Sequence, residues 1–311
     1  MNIVIGSRGS KLALWQASWV KERLATTGHE VTIKIIRTTG DTLQTVSLQQ
    51  PLPASFAQTV AEAGTKGLFI KEIEEALLAG EINLAVHSLK DLPAVQPKGL
   101  IFVAVPPRED ARDVFISRTG RPFRELSRGA RVGTSSPRRQ AQLRSVRPDL
   151  DFTALRGNLD TRLRKLERGD CDALVLAAAG LHRLGLRERI TTYFTLDEMC
   201  PAVGQGALAI EIQSDSPIEQ ALAPLDHPPT HTAILAERAL LRRLGGGCQV
   251  PIAAHASFEE GRLRLRGVVA SPDGRRMIRA AAATERDAEG LGAAVADDLL
   301  SQGAGAILES L

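Results

Sequence analysis

Short apolar runs alternate with segments of helical period from the start of this chain, which restricts the fold to strands crossed over by helices. Residues 2–6 read as a strand. Residues 11–25 place Leu12, Trp15, Trp19 and Leu24 at helical spacing, with Ser10 positioned to cap the start. A β-branched strand follows at 31–37. A helix over 69–79 repeats Ile70, Ile73 and Leu77 before Gly80, and a buried strand follows at 82–86. From about residue 112 the pattern restarts, with strands at 130–133, 151–155 and 172–177 and helices at 137–147 and 158–168. Two consecutive units of this kind predict two α/β lobes with a cleft between them. A further apolar run at 207–212 arrives after the second unit is complete. It is expected to return to the first lobe, giving a double crossover and a hinge.

The last third reads differently. A helix at 230–244 precedes alternating strands at 251–258, 262–270 and 275–283, and a helix at 288–301 closes the chain. Ser271-Pro272-Asp273-Gly274 has the composition of a hairpin turn. This predicts a small α+β domain with a three-stranded antiparallel sheet. The 311 residues exceed one ordinary core. The predicted domains are 1–106 with 207–224, then 112–200, then 229–311.

Composition matters chiefly through the distribution of charge. The chain is +3 overall, yet residues 121–190 hold sixteen Lys or Arg against eight Asp or Glu, so the remainder is net negative. Nearly all of those bases are arginine, whose planar fork recognises carboxylates and phosphates. An anionic ligand is expected at the middle of the protein. The three cysteines, Cys171, Cys200 and Cys248, form no C-x-x-C, and the six histidines form no H-E-x-x-H, so no metal site is expected. No apolar run spans a membrane and the N-terminal residues lack a signal-peptide pattern, so the expected location is cytoplasmic.

The clearest anion-binding sequence is Gly133-Thr134-Ser135-Ser136-Pro137-Arg138-Arg139. A strand leads into small hydroxyl residues and then into Pro at the first helical position. Free N–H groups, Ser136, Arg138 and Arg139 are predicted to converge on one anion; ordinary capping with solvated arginines is the plainer alternative. Two more strand-to-helix junctions repeat the theme, Arg156-Gly157-Asn158 with Arg162 and Ala179-Gly180-Leu181 with Arg183. Ligands of open α/β sheets sit outside the carboxyl ends of strands. Lys90 and Asp91 stand at such an end and could anchor an anion and offer a carboxylate, or simply form a surface turn. His87 reads as a structural histidine. Gly245-Gly246-Gly247-Cys248 presents a cysteine that could be a nucleophile, a tether or an inert buried thiol.

Taken together these motifs resemble the hydroxymethylbilane synthase, or porphobilinogen deaminase, family. The matching stretches are Arg8-Gly9-Ser10-Lys11-Leu12-Ala13, Gly67-Leu68-Phe69, His87 to Pro93, Gly133 to Arg139, Leu155-Arg156-Gly157-Asn158, Pro201 to Gly206 and Gly246 to Pro251. The resemblance implies two lobes like those of periplasmic binding proteins, with hinge crossovers, plus the α+β domain. It implies a dipyrromethane cofactor attached to Cys248 through a thioether. Four porphobilinogen units are then added to this primer, each losing ammonia, and hydroxymethylbilane is released by water. Asp91 is implied as the catalytic carboxylate. Lys90, Asp91, Ser136, Arg138, Arg139, Arg156, Arg162 and Arg183 are implied to bind cofactor. Arg8, Ser10, Arg156, Arg162, Arg183 and Gln205 are implied to bind substrate.

Lys66 and Phe69 are implied to belong to a lid. Between Asp41 and Lys66 the chain is longer than the family pattern, and Glu62 stands near where a lysine is common. The implied partner is the small molecule alone, acting on a monomer, without nucleic acid or membrane. Two other classes compete. A non-catalytic two-lobed binding protein for a polycarboxylate has no use for the third domain's cysteine. A nucleic-acid binder lacks aromatic residues among its basic stretches, the chain having a single tyrosine.

Overall fold

The computed structural model describes residues 1–41, 69–246 and 250–311. The first strands are β1 (Asn2–Ser7), β2 (Glu30–Ile35), β3 (Leu84–Ser88) and β4 (Leu100–Ala104). Helix α1 (Lys11–Thr26) joins β1 to β2, and α2 (Lys71–Leu78) precedes β3. Ser10 caps α1 as its spacing predicts, accepting from Ala13 N at 3.3 Å. The chain then builds a second sheet from β5 (Asp113–Ser117), β6 (Arg131–Gly133), β7 (Asp151–Thr153), β8 (Ala173–Ala177) and β9 (Thr192–Tyr193). Its helices are α3 (Pro137–Val146), α4 (Leu159–Glu167) and α5 (Ala178–Arg183). Strand β10 (Leu208–Gln213) returns to the first sheet, pairing antiparallel with β3 and β4, which is the predicted double crossover. The short α6 (Glu219–Leu222) follows it.

The two sheets repeat one plan. Their orders are β2-β1-β3-β10-β4 and β7-β6-β8-β5-β9, each with three parallel strands and an antiparallel strand beside them. Central strands are covered on both faces, so β8 reads Ala173-Leu174-Val175-Leu176-Ala177 without a polar residue. In the first sheet Ala17, Val20 and Leu24 of α1 pack against Ile3, Ile5 and Ile210. Ile73 and Leu77 of α2 pack with Ile82 and Leu100. In the second, Leu143 of α3 joins Val132 and Phe115, while Leu163 and Leu181 join Val114 and Leu174.

The last sheet is β11 (Ile252–Glu259), β12 (Arg262–Ala270) and β13 (Met277–Thr284), antiparallel in that order. It packs on α7 (Pro228–Arg243) and α8 (Ala288–Ser301), with α9 (Ala304–Glu309) at the end. The predicted α/β class, with two such sheets, crossovers between them and a three-stranded antiparallel α+β region, is therefore present. The third strand begins at Met277 rather than 275, because Ser271 to Arg276 close the turn among themselves. The chain divides into two compact units, 1–108 with 207–231 and 109–206 with 232–311. The second unit contains two of the three sheets.

Candidate functional site

Parallel strands end on one edge of their sheet, so the loops after β1 and β3 share an edge of unit 1. Arg8 follows β1. Its guanidinium lies 4.2 Å from the Phe69 ring centre, and its Nε donates to Asp41 Oδ1 at 3.2 Å. Burial raises the Asp41 carboxyl, but Arg8 and Thr38 outweigh this and hold it below its ordinary value. Arg8 and Phe69, predicted separately as a substrate ligand and a lid residue, are thus in contact. Lys90 and Asp91 lie on a single 3-10 turn, Leu89–Asp91, directly after β3. Both are half-buried. Among the described residues the Asp91 carboxylate makes no hydrogen bond and no ion pair, so it remains available to a ligand. Behind it His87 Nε2 meets Glu211 Oε2 at 3.0 Å, which makes His87 the structural histidine expected.

In unit 2 the three arginine-bearing loops follow β6, β7 and β8, parallel neighbours whose carboxyl ends coincide. Gly133 closes β6 where a side chain would collide with Leu155 and Leu174, which explains the glycine. Ser136 caps α3, accepting from Arg139 N at 3.4 Å, and Ser135 Oγ donates to Leu155 O. Arg138 and Arg139 do converge on one anion, but that anion belongs to the protein. Arg138 Nη1 donates to Asp113 Oδ2 at 2.7 Å, and Arg139 Nε to Asp113 Oδ1 at 2.9 Å. Gln205 Nε2 adds a third donor at 3.0 Å. Burial raises the fully buried Asp113, yet the two guanidinium groups and Gln205 bring it down to about 2. The solvated arginines of the plain capping alternative are not what is found.

Arg183, on α5, donates to Gly206 O at 2.7 Å, and burial pulls it down to about 10 against the attraction of Glu109. Arg162 Nε donates to Gly157 O at 2.8 Å. Arg156 is exposed and makes no ion pair among the described residues. This edge carries cationic donors that suit a polyanionic group. Arg138 Nε is buried and without a partner among the described residues, and Arg156 projects a free charge beside it in the sheet order. Cys248, with its neighbours Gly247 and Gln249, and Lys66 and Glu62 lie outside the described residues. Cys171 and Cys200 are buried, and burial pushes them up to about 11 and about 12, the unreactive thiol form.

Three groups escaped the sequence reading: Asp113, Glu211 and Glu74. Asp113 opens the apolar strand Asp113-Val114-Phe115-Ile116, and Glu211 interrupts Leu208-Ala209-Ile210 and Ile212. A carboxylate inside an apolar strand must be paired, and that signal was available.

Known proteins match this chain over nearly its whole length. The family profile described as "Porphobilinogen deaminase, dipyromethane cofactor binding domain" matches residues 3–221, and "Porphobilinogen deaminase, C-terminal domain" matches 231–301. The porphobilinogen deaminase of Syntrophotalea carbinolica is 51% identical over 99% of this chain and 95% of that protein. That of Desulforudis audaxviator is 52% identical over 98% and 96%. Among solved structures, a TRAP periplasmic solute binding protein from Desulfovibrio salexigens covers 73% of this chain and 72% of its own, at 11% identity and a TM-score of 0.41. With two profiles covering nearly all of it and relatives matching at half of all positions, the chain belongs to the porphobilinogen deaminase family.

Proposed function

We propose that this chain is the transferase that joins four porphobilinogen molecules, with loss of ammonia, on a dipyrromethane primer and releases hydroxymethylbilane by hydrolysis. The observation that carries the reading is the match to porphobilinogen deaminases over nearly the whole of both chains. The bound primer supplies the pyrrole carbon to which substrate units are joined, and Cys248 is the residue assigned to hold it.

The chain's own residues do the rest. Each pyrrole of the substrate carries an acetate and a propionate, so a growing chain is a polyanion. Arg156 and the unpartnered Nε of Arg138 suit that charge, with Arg139, Arg162, Arg183, Lys90 and Ser136 completing the cofactor set. Arg8, Ser10 and Gln205 are assigned to substrate together with Arg156, Arg162 and Arg183. Asp113 holds the Arg138 and Arg139 guanidinium groups and the Gln205 amide in place without solvent reorganisation.

When the protonated aminomethyl group of porphobilinogen loses ammonia, the C–N electron pair leaves with nitrogen and the methylene carbon becomes cationic. A fixed, half-buried carboxylate stabilises that charge better than water does and can accept the pyrrole proton released on coupling. Asp91 is assigned this role because its oxygens are uncommitted among the described residues. Lys66 and Phe69 are assigned to a lid. Residues 112–200 and 229–311 are taken as separate domains, although unit 2 joins 109–206 with 232–311, and their separate cores support this. The chain is taken to act as a cytoplasmic monomer, with neither nucleic acid nor membrane as partner. No described helix is long and apolar enough to cross a membrane.

Intact mass tests the assignment. Purified protein should exceed its sequence mass by two deaminated porphobilinogen units, and Cys248→Ser should not. Unmodified protein that gains no mass on incubation with porphobilinogen, and does not consume it, would overturn the reading.

A further inference from the structure

Unit 1 buries a second set of titratable groups, and they adjoin the segment that carries Asp91. Glu211 stands in the middle of β10 and is fully buried. A charged group in such a place persists only when its neighbours satisfy it. Oε2 meets His87 Nε2 at 3.0 Å, and Oε1 accepts from Gln96 Nε2 at 2.6 Å. His87 is the penultimate residue of β3, and Gln96 lies on the loop leading away from Asp91. The two partners of one carboxylate therefore flank the Leu89–Asp91 turn in the chain. Two further bonds hold the turn's entry: buried Gln16 donates to Ser88 Oγ at 2.9 Å, and Leu89 N to Ala207 O at 3.0 Å.

A second acid lies within electrostatic reach of this clamp, on a helix packed against its strands. Glu74 on α2 has a buried Oε1 with no hydrogen-bond partner among the described residues. Burial, and then Glu211, push its carboxyl up to about 7, with His87 offsetting part of the rise. The strands packed on α2 are β1, β3 and β10. β1 carries no titratable side chain, β3 only His87 and β10 only Glu211. On α2 itself Lys71 lies 3.8 Å from Glu75, and Glu72 accepts from Thr39 N.

We propose that Glu211 is a positioning residue for Asp91, clamping both ends of the turn that carries it, and that Glu74 controls the clamp by its charge. The inference rests on the assignment of Asp91 above. With Glu74 neutral, Glu211 holds His87 and Gln96 with no second negative charge beside it. With Glu74 ionised, a second negative charge lies near the buried Glu211 and the two repel. The strain is relieved by moving a held group, and the turn loses its fixed orientation. Turnover then falls as pH rises through the ionisation of Glu74, whereas substrate affinity, which belongs to the arginines, does not.

The test is the pH profile of kcat and KM for porphobilinogen in the holoenzyme and in Glu211→Gln, Glu211→Asp, Glu74→Gln and Asp91→Ala. Glu211→Gln should lower kcat about 10- to 100-fold, the scale of a small misplacement of a reacting group, with KM within about twofold. Glu211→Asp should recover part of the loss. Glu74→Gln should remove the alkaline decline near pH 7. An unchanged profile in Glu74→Gln, or a Glu211→Gln defect carried by KM, overturns the proposal. If circular dichroism shows Glu211→Gln unfolded, the Glu74→Gln profile decides alone. Full activity in Asp91→Ala would instead remove the Asp91 assignment, and this inference with it. An inactive Asp91→Ala beside wild-type profiles in the glutamine variants removes the clamp only.

Discussion

Asp113 shows how a single side chain sets the character of a site. Two guanidinium groups within a buried cluster would repel each other strongly, and Asp113 with its two oxygens serves one each. Removing only the shared partner leaves two buried positive charges, a change that costs about 3–5 kcal/mol in comparable cases. Asp113→Asn should therefore lower stability by that order, measured by urea unfolding at neutral pH. The pH dependence has a definite sign. Asp113 is held at about 2, below the ordinary unfolded value of about 3.9, so its contribution is complete above that value and is lost as pH falls through about 2. The wild-type acid limb between those values should be shallower in Asp113→Asn. An unchanged acid limb would mean that the pair contributes no linked stability. Asp91 is the opposite case, an acid with no partner among the described residues.

Among the elements, the segment from Cys200 to Gly206 is held more densely than a connection requires. Gln142 accepts from Cys200 N and donates to Cys200 O, Glu237 accepts from Gly204 N, and Gly206 O accepts from Arg183 and Glu109 N. Gly206 itself has φ +88°, and a side chain there would collide with the Glu109 carbonyl. Gly206→Ala should cost about 1–3 kcal/mol through strain of this kind, and should weaken polycarboxylate binding because the Arg183 contact is displaced. Thermal unfolding and titration with a porphyrinogen-like polycarboxylate would measure both. A neutral result would show that the backbone can rotate out of this conformation. Regular elements were easier to foresee than this segment. The helix at 11–25 was legible because Ser10 caps it locally, and the one read over 158–168 begins at Leu159 because Asn158 is its cap. Strand β9, only Thr192–Tyr193, was not, since its two residues become a strand only by pairing with β5.

At the scale of the whole molecule the chain is two compact units, each interrupted or resumed by the crossovers, and the second unit contains two sheets. Separate cores need not melt together. Scanning calorimetry should accordingly give a calorimetric enthalpy larger than the van't Hoff enthalpy, and ligand should raise the transition of the arginine-bearing unit. Equal enthalpies in the absence of ligand would show that the units unfold as one.

Local information in the sequence determined the α/β alternation, the strand-rich region at the C-terminus and the arginine loops at strand ends. Each of these follows from periodicity, capping or chain direction, all of which act between near neighbours. The return of 207–212 to the first sheet was decided instead by its pairing with β3 and β4. Tertiary structure alone decided which charges are spent internally. Arg138 and Arg139 look as available as Arg156 in sequence, yet both are paired with Asp113, 25 and 26 residues away, and Arg156 is exposed. Glu211 meets His87 across 124 residues in the same way. Desolvation decides such pairings: a buried charge must find its partner wherever the fold brings one, and sequence distance has no bearing on that requirement.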